Sequence, residues 1–463
     1  MGESQAKFQE IIHNVKFILL NVKYFLTEGL RGLYKSLVKF QRITWFYNFA
    51  TGLLFLFPLN AVAAGRICDV RQHGAKGDGV TKDTLAIQAA IDECAHAGGG
   101  TVRLSGGTFL SAPIVLRSHI TLDLPGGSVL LGSSDHGDYP AKTEFRSPGR
   151  QSLVSATDAE DVAITGSGVI DGNGESWWIE ARSFKDAGIL GSEHTRPRLV
   201  VFDHCHHVRV EGVTIQNSPM WQLVPYNSDD VVIQNIRVLA PEKSPNTDGI
   251  DPFSSSNVVI DHVFADVGDD NIAIKSGAIN SPGGDLPSKN IRITNVDFRH
   301  GHGLSIGSEI AGGAQNISVE HAHFRGTDNG IRIKANRDRG NDVSGIHFRD
   351  VQMEDVKTAL ILSAYYPGLL PSEDLAPAPV TRLTPHFHDI VIENVTATAT
   401  KNAGVIAGLP EAPIQGLTLR NVSIEAPLGL TIGYAAVVAE HFDIHVPAGE
   451  SITRLPGASL QVR

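Results

Sequence analysis

The sequence predicts an all-β solenoid: a single-stranded parallel β-helix with a capping helix at its N-terminal end. Three observations point there. A short strand-like unit recurs along the chain. Glycine is abundant, at 47 of 463 residues. The clearest helical pattern stands before the first repeat.

The unit reads apolar-x-apolar-x-x-apolar-x-apolar and occupies 208–215, 231–238, 258–265, 291–298, 317–324, 346–353, 390–397 and 417–424. Its alternation marks strands with one buried face. Its starts lie 23 to 44 residues apart, the spacing of a solenoid or array. A period of two argues against helical repeats, propeller blades need longer units, and leucine-rich repeats need more leucine. Coils of short strands stacked at about 4.8 Å remain. Asn or His recurs at the turn inside the unit (Asn235, His262, Asn295, His321, Asn394, Asn421). These residues are expected to form a hydrogen-bonded ladder between coils.

Taken in order, residues 1–64 differ from the rest, with seven Lys/Arg against three Asp/Glu. An apolar run from Trp45 to Leu59 leads into Ala61, Val62, Ala63 and Ala64, the order of an export signal. Cleavage near Ala63 or Ala64 gives a secreted or periplasmic protein. Retention gives a membrane-anchoring segment, although the run is shorter than the roughly 20 residues of a comfortable span. The β-helix then occupies 65–463. Residues 83–97 read as an amphipathic helix with Leu85, Ile87, Ala90, Ile91 and Cys94 on its packed side and three glycines, Gly98 to Gly100, ending it. Such a helix covers the open end of a solenoid, which otherwise invites strand pairing. Strands are expected at 101–104 and 120–124.

The formal net charge of −11 gives the whole chain no attraction for nucleic acid or an anionic membrane. An anionic substrate therefore requires a locally basic site. Cys68, Cys94 and Cys205 are too few for a disulfide scaffold and fit no zinc spacing. They form one bridge at most, or remain buried thiols.

Chemistry concentrates in four segments: NTDGID at 246–251, GDDNIAIK at 268–275, GHGLSIG at 301–307 and DNGIRIK at 328–334. Aligned on Ile250, Ile272, Leu304 and Ile331, they bring Asp248, Asp270, His302 and Asn329 into one column. Arg332 and Lys334 alternate with inward isoleucines and so point outward, and Lys275 shares the register of Lys334. Asp-Gly and Asn-Gly pairs form turns anywhere, and paired aspartates also bind calcium. Asp251 reads as a local brace of its turn. The weight lies in four segments sharing one register. Crowded carboxylates repel, so at least one has a raised pKa and suits a general acid while a neighbour stays ionised as base. Glycoside hydrolysis requires such a pair.

These segments, together with GAKGDGVTKDTLAIQAAID (74–92) and RPRLVVFDHCHHVRVEGVTIQNSPMWQLVP (196–225), resemble the polygalacturonases, the family-28 inverting glycoside hydrolases with a right-handed β-helix fold. The resemblance covers roughly 68–425. It implies hydrolysis of α-1,4-galacturonosidic bonds in polygalacturonate or pectin. Asp269 would be the general acid, Asp248 and Asp270 would activate water, and His302 would tune the acid and bind substrate. Arg332 and Lys334 would hold galacturonate carboxylates, and Tyr365, with Tyr366 beside it, would be the family's substrate-binding tyrosine. Asn246 and Lys275 complete the expected substrate contacts. Asn271 stands where many relatives carry cysteine. No metal or cofactor is expected, the partner is a pectic polysaccharide, and the protein is expected to be a monomer. Long loops at 276–288 and 367–385 are placed to close one end of a cleft, which would favour cutting from a chain end. Competing readings are a rhamnogalacturonan hydrolase on the same fold, a calcium-dependent pectate lyase, and a sugar-binding solenoid without catalysis.

Overall fold

The computed structural model describes residues 65–188, 195–277, 285–371 and 376–463. The export-signal expectation, and parts of both long loops, lie outside them. The described residues form the right-handed parallel β-helix that the repeat predicts. Each coil contributes three short parallel runs. In one coil these are 258–260, 263–265 and 272–274, paired with 291–293, 296–298 and 304–306 of the next. The eight repeat units are the first two runs of each coil, and the third run follows after a longer turn.

The core is the interior of this tube. Val258, Ile260, Ala265, Ile272 and Ile274 are all fully buried, as are their partners one coil on. Phe298 and Phe324 meet edge-to-face on neighbouring coils, their ring centroids 5.0 Å apart. Such interior aromatic pairs bury large apolar area.

The helix spans Thr84–His96 and buries Ile87, Ala90, Ile91 and Cys94, an i, i+3, i+4, i+7 stripe. Leu85, expected on that side, is 86% exposed. It lies two residues before Ile87, about 200° round the helix, and so on the opposite face. Asp83 does not cap the helix; its carboxylate accepts from the Lys76 and Gly77 amides at 2.7 and 2.8 Å and fastens the preceding turn. The strands expected at 101–104 and 120–124 appear as Gly100–Arg103 and Ile120–Leu124.

The repeating Asn and His occupy left-handed backbone, with φ between 51° and 55° at all six positions, a conformation these side chains tolerate better than most. Their ladder is real only in part. Asn421 donates to Asn394 at 3.0 Å and Asn394 to Asp350 at 2.8 Å, while Asn295 instead donates to Asp261. A second ladder, Asn316 to Asn290 to Asn257, runs along a different turn.

A disulfide joins Cys68 on the first strand to Cys94 on the capping helix, and Cys205 is a buried free thiol. The bridge closes a segment with a sequence separation of 26, for which chain entropy gives about 3 kcal/mol. Urea denaturation of the Cys68→Ala/Cys94→Ala protein should show a loss of that order; an unchanged midpoint would mean that the bridge does not tie the cap down.

Candidate active site

The register read from the sequence is the register of the structure. Leu223, Ile250, Ile272, Leu304 and Ile331 pair in succession along the third run. The residues two positions earlier, Asp248, Asp270, His302 and Asn329, therefore stand in one column at the entry to that sheet. The Gly-His-Gly turn needs its second glycine. Gly303 has φ +79°, and a Cβ there would fall 2.0 Å from the Asn329 carbonyl. Asn271 bridges coils from inside, donating to the Ala265 carbonyl at 2.9 Å and accepting from the Gly303 amide at 3.0 Å.

Asp270 is the electrostatic centre. Its Oδ1 accepts from Ser305 Oγ at 3.0 Å and from Arg332 Nη2, and its Oδ2 accepts from Lys334 Nζ at 2.9 Å. Burial alone would raise its pKa. Arg332, then Lys334 and Lys275, outweigh burial and hold the carboxyl well below the usual carboxylate range. Asp248 goes the other way: burial and the neighbouring Asp269 push it up to about 7, against the opposing Lys275, whose Nζ lies 3.3 Å away. Asp251 is raised by burial and by Asp248, and neither of its oxygens has a hydrogen-bond partner among the described residues. Asp269 lies at the mouth with His302 Nδ1 3.0 Å from its Oδ1. Burial raises Asp269, but that hydrogen bond overrides it and the carboxyl is lowered. The His302 imidazole is raised above 6.5, because its bond to Asp269 and the nearby negative charge outweigh burial.

Residues 121–437 match the family model described as glycosyl hydrolases family 28. The chain belongs to glycosyl hydrolase family 28. It is similar to a probable polygalacturonase of Vitis vinifera, 33% identical over 368 residues that cover 76% of this chain and 72% of the relative. It is also similar to an endo-polygalacturonase of Pectobacterium carotovorum subsp. carotovorum, 30% identical over 401 residues, 81% of this chain and 94% of the relative. Among solved structures, a hyperthermoactive exopolygalacturonase from Thermotoga maritima matches with a TM-score of 0.66 at 28% identity, covering 86% of this chain and 91% of that one. The protein is a polygalacturonase-like glycoside hydrolase.

Within this family-28 site the structure corrects three sequence expectations. Arg332 and Lys334 do not form a free basic strip; both are largely buried against Asp270, because their outward column runs directly beside it. Lys275 is buried too, 3.3 Å from Asp248, 3.6 Å from Glu309 and 4.7 Å from the Trp221 ring centroid, so its charge is already paired with carboxylates. Tyr365 turns away: its hydroxyl donates to the Gly408 carbonyl at 2.8 Å and its ring packs on the core. Tyr366 is the tyrosine of the site, its ring centroid 5.3 Å from Lys334 Nζ. Asn246 remains at the surface beside Asp248, held through its Oδ1 by Arg196.

The ligand atoms of Asp269, Asp270 and His302 lie within 4.8 Å of one another, a spacing that suits a cation. Asp270 already meets two protein cations there, so the positive charge a metal would supply comes from Arg332 and Lys334.

Sequence reasoning missed Arg196, Arg198, Trp221, Glu309 and the hairpin of Ala141–Glu144 with Ser147–Arg150. The register rule finds two of them. Val200 pairs with Leu223, so Arg198 and Trp221 stand two positions earlier in the same column as Asp248. The Arg198 guanidinium is stacked between Trp221 and Phe145 at 4.4 and 4.3 Å from their ring centroids, and its Nη1 is 2.9 Å from Glu144. Phe145 and Arg146 form the hairpin tip. Phe145 lies against Tyr226 and Phe253, and Arg146 Nη2 reaches Asp285 Oδ1 at 2.5 Å. The hairpin precedes the third run of its coil and Asp285 follows the third run of a later one, so the tip bridges the two walls of the sheet.

Lys334→Met should destabilise the protein, since removing one partner of a buried pair costs about 3–5 kcal/mol. Asp270 has a depressed folded pKa, so its pairing contributes above the ordinary aspartate value of 3.8 and is lost as pH falls below that. Denaturation at several pH values should show a gap between wild type and variant that is full at neutral pH and narrows below about pH 4; a gap constant with pH would contradict the pairing.

Proposed function

We propose that the protein hydrolyses α-1,4-galacturonosidic bonds of polygalacturonate by a single displacement with inversion. The observation that carries this reading is the contrast between two adjacent carboxyls. Asp270, with both oxygens held by cations, stays ionised as a general base must. Asp269 is the carboxyl that reaches the cleft, its side chain 21% exposed against 2% for Asp270 and 4% for Asp248. Its partner His302, 3.0 Å away and with its imidazole raised by that bond, is placed to deliver a proton to Asp269, which passes it to the leaving oxygen as the glycosidic bond breaks. Water attacks the anomeric carbon and gives its own proton to Asp270, with Asp248 as the second carboxyl one coil away. The N–H groups of Arg332 and Lys334 not used by Asp270 meet a galacturonate carboxylate beside the scissile bond.

The hairpin bridge supports cutting from a chain end. Rings of Phe145, Trp221, Tyr226 and Phe253 cluster beside the Asp248 coil, and the hairpin tip that carries Phe145 also holds Asp285 through Arg146. Such a cluster would block a polymer at that end of the cleft.

Asp269→Asn should reduce turnover on polygalacturonate by about 10²–10⁴-fold with an unchanged melting temperature, the contribution typical of a general acid. Activity within about twofold of wild type, far below that range, would remove Asp269 from the role. Chromatography of early products should give one short oligomer or the monomer from the first minutes, and a broad ladder of intermediate lengths would reject cutting from the chain end.

A further inference from the structure

We propose that Arg196 is a positioning residue that fixes the Asn246 side chain as a hydrogen-bond donor to the sugar bound beside Asp248. The proposal rests on the galacturonan reading above. Arg196 stands on the segment entering the third run, only 8% exposed. Its Nη1 donates to the carbonyls of Pro219 and Pro245, both at 2.8 Å, and its Nη2 donates to Asn246 Oδ1 at 2.7 Å. One guanidinium thus serves three acceptors on two successive turns of the cleft wall.

Asn246 is exposed and adopts left-handed backbone, φ 57°. With its oxygen taken from below, the amide cannot flip without losing a charge-assisted bond. Its Nδ2 has no partner among the described residues and is left as a donor in the cleft, two residues from Asp248. A galacturonate offers acceptors there, in its carboxylate and hydroxyl oxygens. An amide free to rotate would present oxygen as often as nitrogen, and the oxygen would repel the same groups. Lysine cannot substitute, because an ammonium lacks the planar fork that reaches three fixed acceptors at once.

A double-mutant cycle on polygalacturonate separates this role from simple stapling of the wall. Asn246→Ala should raise KM about tenfold or more, the loss of a hydrogen bond to a charged group, with little change in kcat. Arg196→Met should raise KM by a similar factor in the wild-type background and by less than about twofold when Asn246 is already alanine. An equal loss in both backgrounds would overturn the proposal, leaving Arg196 a structural staple. Should Arg196→Met fail to fold, Arg196→Lys keeps the buried charge. It should raise KM without lowering kcat, and a wild-type KM in that variant would overturn the proposal as well. Wild-type protein inactive on polygalacturonate would sink the substrate reading and this one together. An active wild type with an uncoupled cycle would sink Arg196 alone.

Discussion

Parallel pairing of the third run in each coil is the constraint on which the site depends. Once Ile250, Ile272, Leu304 and Ile331 pair in register, every residue at a given offset from them stacks in a column at the coil spacing of about 4.8 Å. Groups 22 to 32 residues apart in sequence become neighbours on adjacent coils without a dedicated loop. A slip of one residue on any coil would turn its polar set into the core. The buried aliphatics that stabilise the tube are thus also the positioning device for the chemistry, and the fold and the site cannot be specified separately.

That column brings together more carboxylates than an apolar wall tolerates. The protein answers with cations whose column lies beside them. Arg332 and Lys334 take Asp270, Lys275 lies between Asp248 and Glu309, and Arg198 meets Glu144 between two aromatic rings. The balance is uneven by design of the register. Asp270 receives two cations and is held ionised, Asp248 shares one and is raised to about 7, and Asp269 relies on His302. The raised carboxyl, Asp248, is not the one that reaches the cleft; exposure and the His302 contact, rather than a raised pKa, single out Asp269.

The fold was legible because period-two alternation and a repeat of a few tens of residues leave few architectures open. The column of Asp248, Asp270 and His302 was legible for the same reason: local sequence offset and spatial register coincide in a solenoid. What the sequence could not yield were contacts between columns. Arg332 and Lys334 were correctly turned outward, yet outward on this coil means against Asp270, a fact that depends on side-chain reach. Tyr365 and Tyr366 are adjacent and chemically identical, and only the bend after Ser363 decides that the first bonds Gly408 while the second faces Lys334. Leu85 is apolar and sits at the helix start, yet it stands about 200° from Ile87 and so outside the buried stripe. The hairpin carrying Phe145 and Arg146 has no repeat signal, being an insertion into one turn, and the Cys68–Cys94 pairing required the helix to be placed on the first strand.

The central claim is that one ionised carboxylate activates water directly while the Asp269–His302 pair protonates the leaving oxygen, with no covalent sugar intermediate. The anomeric configuration of the newly released reducing end tests it most directly. Proton NMR of polygalacturonate, recorded immediately after enzyme addition and before mutarotation, should show the β-anomer first. The α-anomer appearing first would mean two displacements through a covalent intermediate, and would contradict the assignment of Asp270 as a base.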